Sequence, residues 1–242
     1  MLSEKPWRWD AILLLLAKIC MTLGIGFGLV ELFQQMGPEG EREQRFMRFV
    51  VAAVTLQGAG LVFVHFFLKG HGLRWGDFLG IRTRPVRWVV IWAVAMSVFA
   101  IPATILLNTF TAWLISQFRE APEQQAVMIV LQESNRLGER IALGFTAIVL
   151  APVFEESIFR GILYPAIKNA GYPTLALAGT SLLFGAIHAT LLTFLPLTFL
   201  AIMFAVLYEK TDSLLAPIIS HSLFNAVNFA YALWVAGKAT AI

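Results

Sequence analysis

The chain has 242 residues, is 58% hydrophobic and 14% charged, and carries a formal net charge of +3 with a mean hydropathy of +0.74. A soluble domain seldom reaches that balance, and several apolar runs approach the ~20 residues needed to cross a bilayer, so the sequence reads as a polytopic membrane protein. No basic run is interleaved with stacking aromatics, which excludes a nucleic-acid partner, and the single cysteine, Cys20, excludes an intrachain disulfide or a CxxC metal site.

Seven apolar segments run along the chain, at 11–33, 48–68, 87–115, 141–164, 174–194, 196–208 and 213–236. The expected fold class is therefore all-α, a polytopic transmembrane bundle of about seven or eight helices. The first segment reads as a retained span, not a cleaved signal peptide, with Lys18 and Glu31 near enough to its ends to snorkel. Its GIGFG run at 24–28 reads as small residues that let helices approach closely. Between the first two spans, GPEGEREQRFMR (37–48) reads as a solvated run in which three glutamates and three arginines cancel. The loop KGHGLRWGDFLGIRTRPVR (69–87) sets five basic residues against Asp77, which places it and the N-terminus in the cytoplasm by the positive-inside rule. The insert 116–140 has an apolar centre, AVMIVL, too short to span. A helix lying at the interface is expected there, either an amphipathic linker or a gate before the next span.

That next span holds the surprise. After IALGFTAIVLAPV comes FEESIFRG, which puts Glu155, Glu156 and Arg160 at membrane depth. A charge there costs at least ~2.5–3.5 kcal/mol, so each one calls for a partner or a task. Glu156 and Arg160 are four apart and share a helical face. Glu155 is rotated about 100° from Glu156 and is expected to face elsewhere, free for chemistry. Later segments add His188, one turn after Phe184, and His221 followed by Asn225 at i+4 and Asn228 at i+7. A lone imidazole in a bundle is ordinarily a hydrogen-bonded core residue. Two histidines, an amide and a surplus carboxylate together form a set able to activate water, directly or through a metal, and to stabilise an oxyanion. HExxH and GxSxG are absent, and Asp10, Asp77 and Asp212 lie outside the spans or at their ends.

These residues resemble the CPBP intramembrane proteases, also called the CAAX-protease or Abi family, in which EExxxR lies on one span, FxxxH on the next and HxxxN (or a similar small polar residue) on a later one. Here they read Glu155-Glu156-Ser-Ile-Phe-Arg160, Phe184-Gly-Ala-Ile-His188 and His221-Ser-Leu-Phe-Asn225, and the resemblance covers residues 141–236. It implies a helical bundle with an intramembrane polar cavity and an endopeptidase that hydrolyses a peptide bond, of CAAX type or in other peptide processing. Residues 1–140 would supply N-terminal spans, basic loop and interfacial helix to the same single domain. Carried over, Glu155 is the general base with His188 beside it, His221 and Asn225 contact a metal or the oxyanion, and Glu156 and Arg160 hold the geometry. The family is described both as metal-dependent and as metal-independent; a divalent metal such as zinc would take Glu155, His188 and His221 as ligands. The implied partners are membrane lipid and a peptide or protein substrate, prenylated or membrane-embedded, and the implied setting is a prokaryotic cell membrane. Two other readings stay open: a non-catalytic binding or immunity protein of the same fold, and a proton-coupled transporter.

Depth raises a difficulty. At 1.5 Å per residue Glu155 lies ~21 Å from the outer face and His221 ~12 Å from the cytoplasmic end of its span, but His188 comes out ~21 Å from that same side. Pro173 and Gly179 suggest that the fifth span is short or broken at its start, becoming helical only near 179.

Overall fold

The computed structural model describes residues 5–36, 40–81, 84–118, 126–134 and 136–239. Among them are nine helices and no strand: α1 (Trp9–Met36), α2 (Arg42–Gly70), α3 (Trp75–Phe78), α4 (Val86–Ser116), α5 (Ala126–Glu133), α6 (Leu137–Asn169), α7 (Pro173–Ile187), α8 (Leu191–Thr211) and α9 (Leu215–Ala239). All but α3, α5 and α7 are long and apolar enough to cross a membrane. The fold is an all-α helical membrane bundle.

Burial ranks the spans. Half of the most apolar stretch of α6 is buried and 44% of that of α8, against 17–28% in the other four. The two therefore form the centre, with α6 touching α2, α7, α8 and α9. Phe154, Ile158, Phe159 and Ile162 of α6 pack with Phe184 of α7 and Leu200, Phe204 and Tyr208 of α8. Close approach is secured by glycine in two places. A Cβ at Gly60 of α2 would stand 2.3 Å from the Phe154 ring, and one at Gly161 of α6 would stand 2.3 Å from Phe78.

Helix α6 is not a uniform α-helix. Residues Thr146–Leu150 and Ser157–Leu163 take the wider π register, and each stretch is followed by a proline, Pro152 and Pro165. Ala151 N–H bonds Thr146 O instead of Ala147 O, and Pro152 has no N–H to offer in its place. Ala147 O is thereby orphaned inside a membrane helix. Asn225 of α9 fills the vacancy, its Nδ2 donating to that oxygen at 2.7 Å.

Several expectations change. The fifth apolar segment is short, as expected, but its helix starts at Pro173 and runs unbroken through Gly179. The break comes at the other end: His188 caps α7, Ala189 takes a left-handed φ of 54°, and the chain turns straight into α8. The sixth span accordingly begins at Leu191 with Pro196 inside it. Depth is reconciled by α6, which runs on to Asn169 before the turn at Gly171 (φ 95°). Glu155 is then ~21 Å before that turn and His188 ~22 Å after it, so the two lie level.

The run at 37–48 is not all loop. Residues 37–39 lie outside the described residues, and from Glu41 the chain is helical. Two of its three arginines are paired: Arg42 bonds Glu139 at 2.7 Å, and Arg45 grips Glu133 through two hydrogen bonds of 2.8 and 2.9 Å. Those pairs dock the insert, whose residues 119–125 lie outside the described residues. Its helix α5 buries Val130 and Leu131 against Leu143 and Ala232. In the GIGFG run only Gly26 is a close contact, against Thr55; Cβ atoms at Gly24 and Gly28 would meet nothing within 4 Å.

Candidate active site

The polar residues of α6 converge on α9. Arg160 is 1% exposed and Glu156 fully buried, and they pair at 2.9 Å across one helical turn. The guanidinium also donates through Nη2 to Ala201 O of α8 at 2.9 Å, and its Cζ lies 4.8 Å from the Phe184 ring centroid and 5.5 Å from that of Phe204. Ion pair, carbonyl and two ring faces together compensate a charge that burial alone would expel.

Glu156 Oε1 accepts a second hydrogen bond, from His221 Nδ1 at 2.9 Å. With Nδ1 engaged there, the other ring nitrogen, Nε2, is directed elsewhere. It faces Glu155 Oε2 at 3.9 Å. Glu155 therefore does not point away from its neighbour's partner. The two nitrogens of an imidazole face in divergent directions, so a ring placed between adjacent glutamates reaches both. The result is a chain of contacts, Glu155 to His221 to Glu156 to Arg160. Phe204 stacks on the His221 ring at 5.1 Å and 28°, and Phe184 meets it edge-on at 5.9 Å. On α9 the preceding residue, Ser220, bonds Ser97 of α4 at 2.8 Å between buried hydroxyls, which fixes the rotation of α9 about its axis.

His188 is brought near but not into this chain. Its Nδ1 bonds Phe184 O at 2.7 Å and its ring packs on Phe184 at 5.0 Å, so Phe184 stands between the two histidines. Asn225 is one turn beyond His221, with one amide N–H committed to Ala147 O; Asn228, exposed, bonds Phe224 O of its own helix. Both histidines keep Nε2 lone pairs, as ligands or bases do. Among the described residues, however, no three His, Cys, Asp or Glu are gathered as a metal would require. Glu155, His188 and His221 are not gathered as such a set in this arrangement.

Residues 137–227, which hold every one of these candidates, match the family described as "Type II CAAX prenyl endopeptidase Rce1-like". That stretch of the chain is similar to the Rce1-like, CPBP family. It is 26% identical over 136 residues to the "Putative membrane peptidase YdiL" of Bacillus subtilis (strain 168), an alignment covering 56% of this chain and 53% of the relative. The chain thus spans about half the length of that curated relative. No solved structure matches it.

The motif spacings in the sequence mark Glu155, Glu156, Arg160, His188, His221 and Asn225 as candidates, but not their supports. Phe204 carries no motif spacing, because its partner His221 is on another helix. The orphaned carbonyl of Ala147 did have a signal: a proline inside an apolar span removes a donor one turn earlier, and an amide on a neighbouring span is a natural replacement.

Proposed function

We propose that this protein is an intramembrane endopeptidase in which Glu155 is the general base and His221 orients the attacking water. The observation that carries the reading is the 3.9 Å gap between Glu155 Oε2 and His221 Nε2. It is too long for a direct hydrogen bond and suits one water bonded to both acceptors. Glu155 Oε2 and Glu156 Oε2 are moreover buried without a protein partner, so polar capacity at this point is left for water or substrate.

A water held this way donates one O–H to Glu155 and the other to His221, and its lone pair is aimed outward at a peptide carbonyl. Glu155 takes the proton as the O–C bond forms. It returns that proton to the amine nitrogen as the C–N bond breaks, giving a carboxylic acid and an amine. Glu156 keeps His221 in the Nδ1–H tautomer, and Arg160, paired with Glu156 at 2.9 Å, holds that carboxylate in place. His188, with its Nδ1 committed to Phe184, offers an acceptor to the substrate side. The substrate class proposed is a peptide of a membrane-embedded or prenylated protein, in line with the name of the matched family.

The test compares new peptide termini in membranes of cells carrying the wild type or Glu155→Gln at equal abundance. Termini that vanish with Glu155→Gln, at least about 100-fold in keeping with loss of a general base, support the reading. Unchanged termini, with both proteins folded, overturn it.

A further inference from the structure

The second π stretch of α6 also runs into a proline: Tyr164 N–H bonds Phe159 O, five residues back, and Pro165 comes next, where the helix returns to the α register. Pro165 has no N–H, so Gly161 O lacks the donor that an α-helix would place four residues on. The missing bond comes from far away in the chain: Trp7 Nε1 donates to Gly161 O at 2.9 Å. Gly161 is next to Arg160 and lies in the same π stretch, one turn past Glu156. Trp7 is itself fixed, its ring 5.1 Å from Phe67, 5.2 Å from His71 and 6.1 Å from Phe78. Phe78 presses on the face of Gly161 where a Cβ would stand.

We propose that Trp7 is a positioning residue for the site: its indole N–H completes the backbone of α6 beside Arg160 and so sets the direction in which Glu155 and Glu156 meet His221. Trp7 lies outside residues 137–227, and nothing in its sequence surroundings marks it. An orphaned carbonyl in an apolar span must find a donor or let the helix open, and an open helix at this point moves the charges by a fraction of a turn. The indole is the donor, and the aromatic cluster of Phe67, His71 and Phe78 holds it at the required distance. The catalytic half of the claim rests on the reading of Glu155 as a base; the structural half does not.

The decisive variants are Trp7→Phe, which keeps a ring in the cluster and removes only the N–H, and Trp7→Phe with Pro165→Ala, which returns a backbone donor to Gly161 O. Hydrogen–deuterium exchange of the peptide 154–167, read in detergent micelles, is expected to quicken at least about tenfold in Trp7→Phe and to return to the wild-type rate in the double variant. Turnover of a substrate peptide is expected to fall about tenfold in Trp7→Phe with KM unchanged, and to recover with Pro165→Ala. Unchanged exchange in Trp7→Phe overturns the proposal, as does quickened exchange that Pro165→Ala leaves untouched. Altered and rescued exchange with wild-type turnover throughout would overturn the positioning role and leave Trp7 a packing residue. If the wild type cleaves nothing, the exchange arm still judges the anchor, and the failure belongs to the protease reading.

Discussion

Helices α1 and α6 have much the same length and both are apolar enough to span, yet they have opposite jobs. In α1 only 22% of the most apolar stretch is buried, and two glycines of its GIGFG run border open space. In α6 half is buried, two stretches leave the α register, two prolines interrupt the hydrogen-bond ladder, and three charges lie in the middle. Each departure in α6 is answered by a neighbour: Asn225 for Ala147 O, Trp7 for Gly161 O, Ala201 O and two rings for Arg160. Hydropathy ranks both helices as spans. What separates the rim from the centre is the number of polar debts that other helices settle.

The largest test of that contrast is Arg160→Met. It leaves Glu156 buried without its cation, and the expected loss is about 3–5 kcal/mol of stability, seen as a lower unfolding temperature in micelles. Arg160→Met combined with Glu156→Gln is expected to recover part of it; a single variant as stable as wild type would erase the distinction. Next comes Asn225→Ala, which strands Ala147 O at a cost of about 1–3 kcal/mol. Pro152→Ala in the same chain supplies a new N–H and should restore stability. If activity returns with it, Asn225 serves the helix alone; if activity stays lost, its second N–H also serves the substrate.

Smaller still is Arg45→Gln. Its pair with Glu133 is about one-third exposed, so a loss of about 0.2–1 kcal/mol is expected, fading in high salt. At the foot of the scale is Gly24→Ala in α1, where a Cβ meets nothing. Thermal unfolding should move by no more than about 1 kcal/mol and upward if at all. A clear destabilisation would show that the outer face of α1 is covered in the membrane.

The legible part of this protein was what sequence spacing encodes. The apolar runs marked the spans, the i,i+4 relation of Glu156 and Arg160 became a buried pair, and the motifs marked the residues that gather around His221. Illegible was whatever depends on two distant segments meeting. The approach of His221 to Glu155 was not legible, because an angle along one helix says nothing about a ring inserted by another. Residues 41–48 looked like a solvated loop because their charges cancel; their partners, Glu133 and Glu139, lie some ninety residues on. The π stretches left no trace in composition, although Pro152 and Pro165 stood where the ladder would need outside help.

Helix α7 has a consequence for how the protein is made. Its 15 residues reach only ~22 Å, short of the ~30 Å hydrocarbon core, and the turn at Ala189 hands it directly to α8. Such a segment cannot be released into lipid by itself as a finished span. Entry as a hairpin with α8, joined through the turn at Ala189, is the expected route. The two helices that cradle Arg160 are thus expected to enter the bilayer together.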